Sequence, residues 1–152
     1  MTTFNPSIVP SSGPTATDFR IAKFRGRLRK FLANLTGLKN QLVDLGTLTS
    51  GRNILSRHYA RIQPVCIDEI KGSEGRCQDF DASFHPLKPH NKDRWLNIAQ
   101  AWSHGVRLPA INLIKVKDVY VVRDGHHRIS VARYLGCKYL DAQVTEWVLE
   151  ND

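Results

Sequence analysis

The pattern of apolar and polar positions divides the chain into a helical front and a mixed body of strands and helices. Between residues 18 and 35, Phe24, Leu28, Phe31, Leu32 and Leu35 recur at i, i+4, i+7, i+8 and i+11, the spacing of one helix face. Asp18 suits the start of that helix and Gly37 its stop. A second helix is expected over about Leu38 to Leu45, and a third over Arg52 to Arg61. These aliphatic stripes need a surface to cover them. The rest of the chain is the simplest one, and a homodimer through the N-terminal helices is the alternative. Residues 1–17, rich in Ser, Thr and Pro and without periodicity, read as a disordered tail.

Near Gln63 the texture changes. Pro64 to Ile70 alternates as a strand does, and a loop with two glycines follows, Gly72-Ser73-Glu74-Gly75-Arg76. A helix is expected from about Lys92 to His104, with Asn91 as N-cap and Gly105 as its stop. Trp95, Ile98, Ala99 and Trp102 form its core face. Strands Ala110 to Val116 and Val119 to Arg123 flank the short turn Lys117-Asp118 and pair as a hairpin. His126 to Leu135 reads as a helix ended by Gly136, and Tyr139 to Val144 as a last strand. The expected fold class is α+β: a small mixed sheet with packed helices over residues 62–148, a basic helical extension over 18–61, and a tail over 149–152.

At 152 residues the chain suits one domain with a real core. No apolar run is long enough to span a bilayer. The first residues lack the basic-then-apolar layout of a secretory leader. A cytoplasmic protein with no membrane partner is therefore expected. Cys66, Cys77 and Cys137 make no disulfide framework, and Cys66 reads as a buried strand residue. Cys66 and Cys77 lie too far apart for the first ligand pair of a zinc finger or ribbon.

Charge changes the picture in one place. The net charge is +8. Residues 18–61 hold ten Lys/Arg against two Asp, and the remainder of the chain holds twelve of each sign. The whole excess therefore lies in the front segment, where Arg20, Lys23, Arg25, Arg27, Arg29 and Lys30 crowd the first helix. Such a segment either tracks a polyanion such as DNA or is a solvated helix face.

The candidate chemistry centres on Asp124-Gly125-His126-His127-Arg128, a strand turning into a helix. A helix start carries unpaired N–H groups and partial positive charge, and so stabilises an anion. Gly125 permits a tight turn and close approach of a ligand. Arg128 adds a bidentate fork, and His126 and His127 add donors, with positive charge when protonated. The other reading is a generic turn in which Asp124 caps the helix and the histidines are exposed. In the Gly72–Arg76 loop, Ser73 and Arg76 are natural phosphate contacts, and Glu74 could serve as a base or magnesium ligand. Asp79 and Asp81 read as solvated loop acids, and Arg94, which could reach an anion, reads as a surface residue.

In this order the elements resemble the ParB/sulfiredoxin superfamily, often labelled the ParB-like nuclease domain. The resemblance runs from about Pro64 to Trp147. It is carried by Ile70-Lys71-Gly72, Asp79-Phe80-Asp81, Arg94-Trp95, Leu108-Pro109-Ala110-Ile111, the run Tyr120 to Arg133 and Asp141-Ala142-Gln143-Val144. The helical front looks like the extension of small stand-alone bacterial members. In that superfamily the corresponding turn binds nucleotide phosphates, which implies the same for Gly125, His127 and Arg128. Two departures narrow the implication. His126 stands where sulfiredoxins carry their catalytic cysteine, so sulfinic acid reduction is not expected. Segregation-type ParB proteins have Gly-Glu-Arg-Arg at this turn and further domains after it, so DNA clamping is not expected either. The first expectation is a nucleotide-binding protein, an NTP hydrolase or phosphotransferase. It would hold ATP or CTP with Mg2+ through Ser73, Arg76, Asp124, Gly125, His127 and Arg128, with Glu74 or His126 handling protons. The alternative is a DNA-binding or nuclease-like regulatory module that uses the basic helix.

Overall fold

The computed structural model describes residues 13–150, and the tail expectations for 1–12 and for 151–152 lie outside the described residues. Helix α1 spans Ala16–Thr36. Its start is fixed by Asp18, whose Oδ2 accepts the Thr15 N–H at 2.6 Å and the Thr15 hydroxyl at 2.8 Å. Gly37 ends it in the left-handed conformation, as its position implies. Within the expected tail, Gly13 and Pro14 are buried, and Gly13 packs on Ser103.

The face that α1 buries is not the expected one. Phe19, Ala22, Gly26 and Ala33 pack inward, whereas Phe24, Leu28, Phe31, Leu32 and Leu35 are exposed. The reason is steric. A Cβ on Gly26 would lie 2.8 Å from His85 Cβ and 3.2 Å from a Leu87 methyl, so the helix sits too close to that segment for large side chains.

The second and third helices expected in the front are also overturned. Strand β1 (Val43–Asp44) lies within the first, the five-residue helix α2 (Leu45–Thr49) begins only at its end, and strand β2 (Ile54–Tyr59) occupies the second. Sheet pairing wins over helical spacing here, because β2 finds an antiparallel partner at the chain's end. Strand β3 (Gln63–Cys66) and strand β4 (Ile70–Ser73) replace the single strand expected over 64–70, with a 3-10 turn at Ile67–Glu69 between them. Cys66 is only half-buried, and Asp81, expected to be solvated, is buried.

The remaining elements follow the sequence closely. They are helix α3 (Lys92–Ser103), strands β5 (Ile111–Val116) and β6 (Val119–Asp124), helix α4 (His126–Tyr134) and strand β7 (Tyr139–Leu149). The final strand runs past the expected Val144 because residues 145–149 pair with β2 and residues 145–147 also pair with β5. The sheet is mixed, in the order β1-β4-β6-β5-β7-β2, with β3 beside β7. β1, β4 and β6 run parallel, so β4 and β6 end at the same edge.

Side-chain alternation divides the core between the sheet faces. Ile111, Leu113, Val122 and Val144 join the main core with Phe19, Phe80, Trp95 and Ile129. Ile114, Val116, Val121 and Trp147 form a smaller cluster with Leu45 of α2. Trp95 is the hub of the helical layer. It meets Phe19 at 5.7 Å and Tyr134 at 5.3 Å between ring centroids, and its indole N–H donates to Ser130 Oγ at 3.1 Å. Truncating a fully buried Trp costs about 3–5 kcal/mol. Trp95→Ala is therefore expected to lower the urea unfolding midpoint by that equivalent, and a shift under 1 kcal/mol would contradict the hub role.

Candidate functional site

The turn from β6 into α4 forms at the carboxyl edge of two parallel strands, a common place for ligands in sheets of this kind. Gly125 is the N-cap of α4, with φ of +108°. A Cβ there would lie 2.4 Å from an Ile111 methyl, so the backbone passes against β5 where no other residue fits. No side chain caps the helix, so its first N–H groups are left to a ligand or solvent. Asp124 does not cap it either. Its Oδ2 accepts Arg128 Nη2 at 2.6 Å.

Arg128 is committed to the fold. Its Nη1 donates to Pro109 O at 2.6 Å and to Ala110 O at 2.8 Å. One guanidinium thus ties the segment entering β5 to the start of α4, rather than offering an open fork.

The two histidines are buried in the wall behind the turn, which contradicts both an exposed placement and a protonated one. Ser73 Oγ accepts the Arg76 N–H at 3.2 Å and shares a hydrogen bond with His126 Nε2 at 2.8 Å. Ser73 is fully buried, so it positions His126 instead of meeting a phosphate. His127 Nε2 bonds Asn91 Oδ1 at 3.1 Å, and its Nδ1 lies 3.5 Å from Arg76 Nη1. Asn91 stands at the N-cap position of α3 but makes no side-chain cap; it serves His127. Phe80 stacks on His126 and meets His127 edge-on. Burial, reinforced by the nearby Arg76 charge, pushes each imidazole down to about 4. Both are neutral at pH 7.

The positive charge of the site comes from arginines. A cavity of about 160 Å³ over the turn is lined by Arg76, Arg94, Arg123, Arg128, Asp124 and the Gly125–His127 backbone and rings, with Ile98 at its side. Arg76 lies 3.6 Å from Asp79. Arg123 is held by both Glu74 oxygens, at 2.8 and 3.4 Å, and its guanidinium lies over the Trp147 ring. Glu74 is therefore the partner of a cation rather than a free base. Arg94 is exposed and makes no hydrogen bond or ion pair among the described residues.

Of the expected site residues, the structure brings Arg76, Asp124, Gly125, His126, His127 and Arg128 to one cavity. It places Ser73 behind it and Glu74 beside it on Arg123. Arg20, Lys23, Arg25, Arg27, Arg29 and Lys30 do not line it; they lie on α1. Arg123 and Asn91 were missed, and Arg94, exposed as expected, lines the cavity as well. Arg94 and Ile98 follow one another at i, i+4 beside the Trp95–Ala99 core face, which is the signal that could have placed them.

A second cavity of about 290 Å³ lies on the other side of Arg128, among Trp102, Val106, Leu108, Pro109, Ile111 and Leu140, with Arg107 and Asp141 also on its wall. Among the described residues no cluster of three His, Cys, Asp or Glu side chains could hold a metal, and no helix is long and apolar enough to cross a membrane. No family model matches the chain, and no curated protein or solved structure is significantly similar to it.

The buried histidines set a pH dependence. Their folded pKa lies below the ordinary value, so the unfolded chain binds protons first as pH falls. Stability is therefore expected to hold above pH 6.5 and to decline as the pH falls from there to about 4. Urea midpoints measured across that interval check this, and a flat profile would contradict neutral burial.

Proposed function

We propose that this protein binds a nucleotide, with its phosphates over the start of α4, as a domain of ParB/sulfiredoxin type. The observation that carries the reading is the convergence of Arg76, Arg94, Arg123 and Arg128 on an uncapped helix start. Arg76, Arg123 and Arg128 meet Asp79, Glu74 and Asp124, so the fourth guanidinium, Arg94, leaves an excess positive charge that an anion would neutralise. The helix N–H groups add unpaired donors at the same point. A polyphosphate supplies several oxygens for these donors, whereas a carboxylate supplies two.

The second cavity favours an organic phosphate over a free one. It shares the Arg128 wall and is lined largely by apolar side chains, suited to a base or sugar. ATP and CTP both satisfy this description. Mg2+ has no donor set of its own here, since Glu74 and Asp124 are paired with Arg123 and Arg128. It would accompany the phosphates.

The function proposed is binding rather than turnover. A base must be free to take a proton. Glu74 faces Arg123, and His126 is held by Ser73 with its basicity depressed. The alternative of DNA held along α1 has no comparable support. The cations there flank an exposed apolar face instead of forming a continuous basic one.

Arg94 gives the clean test, because its side chain supports nothing else. Thermal shift is expected to rise in the order adenosine, AMP, ADP, ATP, with CTP close to ATP. Arg94→Ala is expected to keep the unliganded melting temperature and weaken ATP binding about tenfold or more, the loss of one charge-assisted contact. No stabilisation by any nucleotide, or unchanged affinity in Arg94→Ala, would overturn the reading.

A further inference from the structure

The outer face of α1 carries a second feature, independent of the cavity. Phe24 is 65% exposed, Phe31 60% and Leu35 69%, with Leu28 and Leu32 between them. At about 100° per residue these five fall on one arc, roughly opposite the buried seam of Phe19, Ala22, Gly26 and Ala33. The cations take the space between. Arg20, Lys23 and Arg27 lie along one flank of the apolar arc, and Arg25 and Arg29 along the other, Arg29 with its Nε 3.9 Å from the buried Asp81 carboxylate. The result is a convex apolar ridge with a basic border on both sides.

Soluble proteins seldom present so continuous an apolar strip without an occupant. The border indicates the occupant's charge. The only acid in α1 is Asp18, and it is taken by Thr15 and the Tyr134 hydroxyl. A second copy would set arginines against arginines with no carboxylate in the helix to pair them, so charge disfavours the homodimer expected from the sequence. What fits is an apolar interior rimmed by negative charge and flat enough to receive a ridge.

We propose that α1 docks this protein on anionic lipid bilayers, with Phe24, Leu28, Phe31, Leu32 and Leu35 entering the acyl boundary and the flanking arginines meeting lipid phosphates. In-plane helices bind membranes in this manner, with long cationic side chains reaching to the headgroups. The sequence expectation of no membrane partner rested on the lack of a spanning segment, and an in-plane helix needs none. The proposal does not depend on nucleotide binding.

Co-sedimentation of the full chain with phosphatidylglycerol/phosphatidylcholine vesicles tests it. Binding is expected to anionic vesicles, to fall severalfold between low and physiological salt, and to be much weaker with pure phosphatidylcholine. Phe24→Ser/Phe31→Ser/Leu35→Ser is expected to reduce partitioning at least tenfold while leaving the unfolding transition in place, because these side chains support no core. Arg94→Ala is expected to partition as the parent chain does, which separates this surface from the phosphate cavity. No binding to anionic vesicles at low salt would overturn the proposal, as would binding that survives the triple substitution. A concentration-dependent dimer abolished by the triple substitution would also overturn it, assigning the face to a second copy.

Discussion

Gly125 turns the chain from β6 into α4 at φ +108°, with its backbone pressed against Ile111 of β5. The rest of the site depends on that close approach. It brings the start of α4 to the carboxyl edge of the parallel β4 and β6, within reach of Pro109 and Ala110 for Arg128. It leaves the first helical N–H groups with no side chain to cap them. It also turns His126 and His127 inward, where Phe80, Ser73 and Asn91 hold them. A residue with a Cβ would have to move the strand or the helix, and either movement would disperse the arginines.

Around this turn, structural and ligand-facing residues are separated in a way that residue type does not reveal. Arg128 and the two histidines look like the ligand-facing groups of the motif, yet their polar atoms largely serve the fold. Arg94 and Arg123 sit outside the motif, and of the two Arg94 alone brings a charge with no carboxylate partner among the described residues. Neutral, buried imidazoles suit this division. They line the wall without adding charge that would have to be solvated.

The body of the fold was legible because its signals were local. The α3 core face, the β5–β6 hairpin and the Gly125 and Gly136 ends of α4 follow from spacing and turn chemistry within a few residues. The front was misread for two physical reasons. β2 is a strand because of residues 145–149, more than eighty positions away, and no window on Ile54–Tyr59 contains that information. On α1 the large apolar residues drew attention to one face, while the closest packing belongs to Ala22, Gly26 and Ala33. Small residues mark where helices approach closely, and hydrophobic spacing gives them little weight. At the site, the turn could be read directly, but the arginines converge from α3, β6 and the loop after β4, which only the assembled sheet brings together.

The proposed seat of the phosphates is the uncapped start of α4, beneath the converging arginines. The backbone amides of His126, His127 and Arg128 report on it most directly, through a ¹H–¹⁵N NMR titration with ATP. Saturable shifts are expected, concentrated on these three amides and on the Arg76, Arg94 and Arg123 side-chain signals, with α1 unmoved. Shifts confined to α1, or none at the α4 start, would contradict it.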